Sequence, residues 1–90
     1  MSRYTRKQVL ELLEIDDGFL VTLLSEEIVT HDESGDFSEQ MLERVRVAQN
    51  LVRDLEVNLP GVAIILRMRE DMADLHHRLA ELARELERRG

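Results

Sequence analysis

The residues best able to do chemistry in this chain are carboxylates, and they lie in a segment without a base. Between Gln8 and Glu43 there is no Lys or Arg, and every ionisable side chain other than His31 is Asp or Glu. A negative field of this kind attracts basic partners. Taken singly, these carboxylates are more simply a solvated surface. The run as a whole favours a docking face, and the candidate partner-binding residues are Asp16, Asp17, Glu26, Glu27, Asp32 and Glu33.

The other reactive residue types form no recognisable site. His76 and His77 could suggest a metal, but adjacent helical residues point in different directions, and there is no Cys to complete a thiolate site. Ser25, Ser34 and Ser38 have no His and carboxylate partners at a fixed spacing, and the glycines form no phosphate-binding loop. We therefore expect no enzyme activity, no metal and no cofactor.

The composition favours a small cytoplasmic protein. Ninety residues make one small domain, which buries only a modest fraction of its surface. The absence of Cys fits a reducing compartment. The first residues have no apolar segment of the signal-peptide kind, and no apolar run approaches membrane-spanning length. We expect a soluble protein that does not enter a membrane.

Two short helices are predicted at the start of the chain. Thr5 and Gln8 form a capping box, which predicts a first helix over about residues 5–13. Asp16 or Asp17 can cap a second helix, whose buried face would be Phe19, Leu20, Leu23 and Leu24. Two short helices separated by three or four residues indicate a helix-turn-helix motif.

A hairpin and a third helix are predicted next. The β-branched run over residues 28–30 indicates a strand, residues 31–35 have turn chemistry, and residues 36–37 could return as a second strand. This hairpin would be the wing of a winged helix-turn-helix. Ser38 can cap a third helix, with Leu42 and Leu51 beside an apolar stripe of Met41, Val45, Ala48, Val52 and Leu55.

The last third of the chain predicts one long helix. Asn58 is a good N-cap, Pro60 suits the first turn, and no further Pro or Gly occurs before Gly90. A helix over residues 60–88 would be roughly 43 Å long, too long for a domain of this size to cover. We therefore expect a head over residues 1–57 and a dimerisation helix over residues 58–90, with both packed as one compact domain per chain. The expected dimer seam has the a/d spacing of a coiled coil: Ile65, Met68, Met72, Leu75, Leu79, Leu82 and Leu86.

Charges beside this seam favour an antiparallel pair of chains. In a parallel pair Asp71 would face His76 and Arg78 would face Ala83, so neither contact would be a firm ion pair at neutral pH. In an antiparallel pair centred near residues 74–75, Asp71 of each chain would face Arg78 of the other. Exposed ion pairs contribute only about 0.2–1 kcal/mol each, so they would set the orientation while the apolar seam provides the stability.

Several residues in the third helix and at the start of the long helix form a pattern, of which Asn58-Leu59 and Gly61-Val62 are the distinctive part. They are Arg46, Leu51, Arg53-Asp54-Leu55, Val57-Asn58-Leu59 and Gly61-Val62-Ala63-Ile64-Ile65-Leu66. With the order helix, helix, wing, helix, long helix, they resemble the MerR-type winged helix-turn-helix regulators, and more closely the chaperone-modulator (CbpM) family. The resemblance implies a mostly α fold with an antiparallel dimerisation helix. It also implies a homodimer that binds the J-domain of a DnaJ-like, CbpA-type co-chaperone and inhibits its engagement of Hsp70.

Two positions depart from the pattern of that family. Glu27 stands where the turn after the second helix commonly carries Gly. Gly35 stands where the wing commonly carries an aromatic residue, two positions before Phe37. A shorter or looser hairpin is therefore expected, and any partner contact that such an aromatic residue makes is not expected here.

The alternative function is that of a MerR-like DNA-binding transcriptional regulator with a divergent, acidic head. Affinity for duplex DNA comes largely from Lys and Arg at phosphates. The expected recognition helix, about residues 16–24, contains two Asp and no base, and the expected wing contains Asp32, Glu33 and Asp36. The charge therefore argues against DNA binding and favours the chaperone modulator.

Overall fold

The computed structural model describes residues 2–90. Most of these residues are helical, and the described part also contains a small two-stranded sheet, which confirms the predicted mostly α class. The elements in chain order are β1 (Arg3–Tyr4), α1 (Arg6–Leu13), α2 (Asp17–Ser25), β2 (Phe37–Ser38), α3 (Glu39–Leu55) and α4 (Leu59–Arg89).

Local capping sets the starts of the first two helices, as the sequence predicted. Gln8 donates its backbone N–H to the Thr5 hydroxyl at 3.2 Å, and Thr5 donates its own N–H to the Gln8 side-chain oxygen at 2.9 Å. Asp16 caps α2 by accepting the Phe19 N–H at 2.8 Å. These contacts satisfy N–H groups that have no partner within the helix. Between the helices, Glu14 ends α1 in the left-handed region, with φ 53°.

The predicted strand over residues 28–30 is wrong. The N–H groups of Ile28 and Val29 both donate to the carbonyl of Leu23, at 2.9 and 3.3 Å, so they continue the end of α2. The side chains of Ile28 and Val29 are buried in the core. The β-branched pair therefore fills space beneath α2 and takes no part in a ladder, because core burial outweighs strand preference here.

The partner of β2 is the N-terminal strand. Tyr4 pairs with Phe37 and Arg3 with Ser38 in an antiparallel register. The predicted turn does form, since Asp32 donates its N–H to the Asp36 carbonyl at 2.9 Å. Gly35 occupies this turn with φ +87°, a conformation that favours glycine. The wing is thus a tight turn before β2, and the predicted hairpin from residue 28 to residue 37 does not exist.

The core lies between the head helices, β2 and the start of α4. Ser38 caps α3 as predicted, by accepting the Met41 N–H at 3.1 Å. On α3, Val45 and Ala48 are buried as predicted and Val47 joins them, but Leu55 is exposed because α3 ends there and the chain turns away at Glu56. The buried hydrophobic residues are Val9, Leu20, Leu23, Ile28, Val29, Phe37, Val45, Val47, Ala48, Val62 and Leu66.

The start of α4 is fixed against α3. Asn58 accepts the Gly61 N–H at 2.9 Å, which confirms the predicted cap. Gly61 fits the close approach there, because a Cβ at this position would lie 2.8 Å from Cγ1 of Val57. Val62 and Leu66 then bury their side chains against the head. Arg44 on α3 adds two polar contacts. Its Nε lies 2.8 Å from Oε2 of Glu70 on α4, and its Nη1 donates a hydrogen bond to the Ile28 carbonyl after α2.

The second half of α4 projects away from the head. From Asp71 onward its side chains are exposed, except for the half-buried Ala80. The 31 residues of α4 extend over about 46 Å, and the molecule measures 54 Å along its longest axis. Over residues 2–90, no helix combines the length and the apolar character that a membrane span requires.

Candidate functional site

The base-free acidic segment forms three separate groups of carboxylates in the fold. Asp16 and Asp17 lie at the start of α2, and Glu26 and Glu27 follow its end. The nine residues of α2 place these two groups about 13 Å apart. The third group, Asp32 and Glu33, lies in the turn before β2. The six candidate partner-binding residues therefore line a surface and do not converge on one point.

Two of the six carboxylates are already paired within the chain. Asp17 Oδ1 lies 2.6 Å from Nε of Arg6, so the pair joins the starts of α2 and α1. The hydrogen bond from Arg6, and secondly its positive charge, lower the pKa of Asp17. Asp32 pairs with Arg3, and its other oxygen accepts the N–H groups of Ser34 and Asp36. Asp32 therefore has a structural part in its turn.

The remaining four carboxylates have no ion-pair partner among residues 2–90. Asp16 uses one oxygen to cap α2, which leaves the other oxygen for a partner. Glu26, Glu27 and Glu33 are exposed. Glu27 has φ +57°, so it adopts the left-handed conformation that favours glycine. These four residues are the ones most available to an external basic group.

The outer face of α2 contributes no base of its own, and Arg6 beside it is paired with Asp17. Its exposed residues include Asp17, Gly18, Val21 and Ser25. In a helix-turn-helix protein the second helix is the element that enters the major groove of DNA. A face with one carboxylate and no base offers no attraction to phosphates. The charge of this face therefore does not favour contact with a nucleic acid.

A groove beside the helix-turn-helix was not anticipated from the sequence. It has a volume of about 280 Å³ and lies between the α1–α2 turn and the second half of α3. Ile15, Phe19 and Val52 contribute apolar surface, and all three are half-buried. The remaining lining residues are polar or charged: Glu14, Asp16, Gln49 and Arg53. The sequence signal was Ile15, an apolar residue between two caps.

The predicted dimer seam is a continuous apolar stripe on α4. Ile65 is half-buried against the head, while the other six seam residues are between 56 and 68 % exposed in the single chain. Ile64 is also exposed and lies beside the stripe, so the apolar surface is wider than the heptad pattern alone indicated. Monomeric proteins rarely expose a contiguous apolar surface of this kind.

His76 and His77 both lie on the exposed part of α4. His77 contacts its own helix, since its Nε2 lies 2.8 Å from Oε1 of Glu81. Within residues 2–90, no three side chains of His, Cys, Asp or Glu come together as a metal site would require. The geometry directs attention to two surface features, the acidic surface of the head and the exposed apolar stripe on α4.

Comparison with known proteins identifies a family and relatives to which this chain is similar. The family model described as "MerR HTH family regulatory protein" matches residues 4–84. The Chaperone modulatory protein CbpM of Coxiella burnetii strain Dugway 5J108-111 is 40% identical over 48 residues, which are 53% of this chain and 45% of the relative. The CbpM protein of strain RSA 331 / Henzerling II matches to the same extent. No solved structure matches.

The chain spans about half the length of the curated relatives it matches. The resemblance to the chaperone-modulator family that the sequence predicted is confirmed by these relatives. The family model extends over most of the chain, including both helices of the helix-turn-helix and the greater part of α4. The chain therefore belongs to the MerR helix-turn-helix family of regulatory proteins.

Proposed function

We propose that this protein is a chaperone modulator without enzymatic activity, which binds the J-domain of a DnaJ-like, CbpA-type co-chaperone and inhibits its engagement of Hsp70. The observation that carries the proposal is a helix-turn-helix scaffold whose second helix, α2, contains no base and is flanked by the unpaired carboxylates Asp16, Glu26 and Glu27. J-domains generally meet Hsp70 through a positively charged helix, which such a surface complements. The similarity to the CbpM proteins supports the same function.

The proposed mechanism is steric competition. The four unpaired carboxylates of the head attract the basic surface of the J-domain. The bound head then covers the J-domain surface that contacts Hsp70. Charges at the rim of an interface act mainly on the association rate. Inhibition should therefore weaken as salt rises, because screening shortens the reach of the acidic field.

The decisive experiment is charge reversal at unpaired carboxylates. Glu26→Lys, Glu27→Lys and Glu33→Lys together should slow association with a purified J-domain more than they speed dissociation, as measured by surface plasmon resonance. Asp16 and Asp17 are better left unchanged, because Asp16 caps α2 and Asp17 pairs with Arg6.

A control with the same charge change separates this local effect from net charge. Asp74→Lys, Glu81→Lys and Glu87→Lys lie on α4 outside the seam and should slow association less. If the head variant binds the J-domain as the unchanged protein does, the acidic surface is only a solvated one. If the unchanged protein does not bind a J-domain, the proposed function is wrong.

The proposed assembly is an antiparallel homodimer through the α4 stripe. Residues that remain exposed in one chain would be buried in two, which adds to a thin core. Engineered cysteines test the orientation: Asp71→Cys in one chain should cross-link to Arg78→Cys in the other. Rapid self-pairing of chains that carry Leu86→Cys would indicate parallel helices instead.

The second candidate function is DNA binding, which the match to a family of helix-turn-helix regulators favours. The absence of bases from α2 opposes it. A gel-shift series with random duplex DNA and with the region upstream of the protein's own gene compares the two candidates. We expect no shift at physiological salt, and a specific, salt-sensitive shift at submicromolar protein would replace the chaperone proposal.

A further inference from the structure

We propose that the groove beside the helix-turn-helix is the anchor point for the partner, and that it takes an apolar side chain flanked by Lys or Arg on a basic amphipathic helix. This inference rests on the proposed function and deepens it, since it names the place where the J-domain docks. The groove is the one lined by Ile15, Phe19 and Val52 together with Glu14, Asp16, Gln49 and Arg53.

The groove has the size and lining of an anchor site. Its volume of about 280 Å³ lies just below the range of about 300–1,000 Å³ typical of small-molecule pockets. Ile15, Phe19 and Val52 pack against the core on one side, so the apolar surface that they leave open is held in place. Buried apolar anchors at the centre of an interface provide most of its binding energy.

Two exposed leucines lie three residues along the chain from groove residues, Leu12 from Ile15 and Leu55 from Val52. Leu12 precedes the α1–α2 turn and is 59% exposed, and Leu55 lies one helical turn beyond Val52 and is 68% exposed. Leu55 was predicted to be in the core, and its exposure has no role within the chain. A partner helix laid along the groove would cover both leucines.

The charge at the rim favours a basic occupant. Glu14 and Asp16 are exposed and have no ion-pair partner among residues 2–90. Arg53 is the single base in the lining, and its charge already faces Asp54 at 3.2 Å, while it also donates to Asn50. The rim therefore presents a net negative charge to a bound partner. This charge repels phosphates and complements Lys or Arg beside an apolar anchor.

The test is a set of groove variants titrated with a purified J-domain in a calorimeter. Gln49→Trp fills the groove, Leu55→Ser removes the exposed apolar border, and Asp16→Asn removes charge while it keeps a good N-cap residue. We expect Gln49→Trp and Leu55→Ser each to raise the Kd at least tenfold and Asp16→Asn to raise it severalfold. Arg84→Gln, an exposed residue on the projecting part of α4 outside the seam, should change the Kd less than twofold.

The outcomes separate this inference from the proposed function. If the unchanged protein binds the J-domain and the groove variants bind equally well, the groove is not the anchor and the proposed function stands. If the unchanged protein does not bind, both fail. If the groove variants alter sedimentation of the protein alone while they leave the J-domain Kd unchanged, a second copy occupies the groove and the inference is overturned. Leu55→Ser changes a surface residue, so it tests the groove even if Gln49→Trp does not fold.

Discussion

Arg6 and Asp17 form the ion pair that joins the two helices of the helix-turn-helix motif. Its Nε and Oδ1 atoms are 2.6 Å apart, and both side chains are about half-exposed. Solvent screens a pair at that exposure, so it contributes little to stability. Its main effect is on orientation, because it fixes the start of α2 relative to α1. It also makes Asp17 less available to a partner than Asp16.

We predict that the pKa of Asp17 is lower than the ordinary value of an aspartate. The Arg6 hydrogen bond lowers its pKa in the folded protein, so its favourable contribution is present above the unfolded pKa and is lost as the pH falls through the folded value. A carboxyl-detected NMR titration measures the midpoint. Arg6→Gln should raise the midpoint towards the ordinary value, whereas Arg53→Gln should not move it. An unchanged midpoint in Arg6→Gln would show that this pair does not persist in solution.

Glu27 supplies a second prediction at a single residue. Its left-handed backbone, with φ +57°, costs a non-glycine residue roughly 1–2 kcal/mol. Glu27→Gly relieves that strain but increases the freedom of the unfolded chain, so we expect a net gain of up to about 1 kcal/mol in the free energy of unfolding. Glu33→Gly, at a position without positive φ, should destabilise the protein. Urea denaturation compares them, and a loss of stability in Glu27→Gly would contradict the assignment of strain.

At the scale of elements, Arg44 connects three parts of the fold. It reaches Glu70 on α4 and the Ile28 carbonyl after α2, and its own side chain is only 19% exposed. Both contacts are hydrogen bonds from a charged donor, which contribute more than neutral ones. Arg44 thus holds the segment with Glu26 and Glu27 in a fixed relation to the long helix.

We predict that Arg44→Ala lowers the free energy of unfolding by about 1.5–3 kcal/mol, because it removes two charge-assisted hydrogen bonds and leaves the Ile28 carbonyl without that donor. Glu70→Gln should cost less, since the Ile28 contact remains. A double-mutant cycle between Arg44 and Glu70 in urea measures their coupling. Arg53→Ala, which removes an exposed pair, should cost at most about 0.5 kcal/mol. If Arg44→Ala and Arg53→Ala lowered the free energy of unfolding equally, the contact between Arg44 and Glu70 on α4 would not be formed in solution.

Helix starts were predictable because each depends on one side chain three residues away. Thr5, Asp16, Ser38 and Asn58 all cap as expected. Local preference wrongly predicted a strand over residues 28–30, because Ile28 and Val29 are instead buried under α2, which is a tertiary effect. The pairing of β2 with the first residues joins segments that are distant in sequence, and no local pattern records it.

In the candidate site too, local sequence patterns predicted some features and missed those that depend on tertiary contacts. Composition alone indicated an acidic surface, and heptad spacing alone indicated the exposed stripe on α4. Composition could not show that Asp17 and Asp32 have bases beside them, since Arg6 and Arg3 lie outside the acidic segment. The groove was also hidden, because it forms only when the α1–α2 turn meets α3.

At the scale of the whole molecule, the α4 stripe determines the assembly that we propose. Leu79 is 57% exposed and lies near the middle of the stripe. Burial of a leucine contributes about 1.5–3 kcal/mol, and a symmetric dimer counts each change twice. We therefore predict that Leu79→Lys raises the dimer Kd by roughly a hundredfold or more. Sedimentation equilibrium measures this, with Glu81→Lys as a control on the outer face. A Leu79→Lys protein that sediments like the unchanged one would exclude the stripe as the dimer interface.

The exposure of the second half of α4 also has a consequence for the helix content of the chain on dilution. From Asp71 onward this helix lacks tertiary support, apart from the half-buried Ala80, and most helical stability in proteins comes from the packing of an apolar face. If pairing provides the missing support, then by mass action the helix content itself depends on protein concentration. The far-ultraviolet circular dichroism per residue should fall on dilution, and trypsin should then cleave first at Arg78 and Arg84. The length of α4 that is helical would thus depend on the concentration of the protein in the cell.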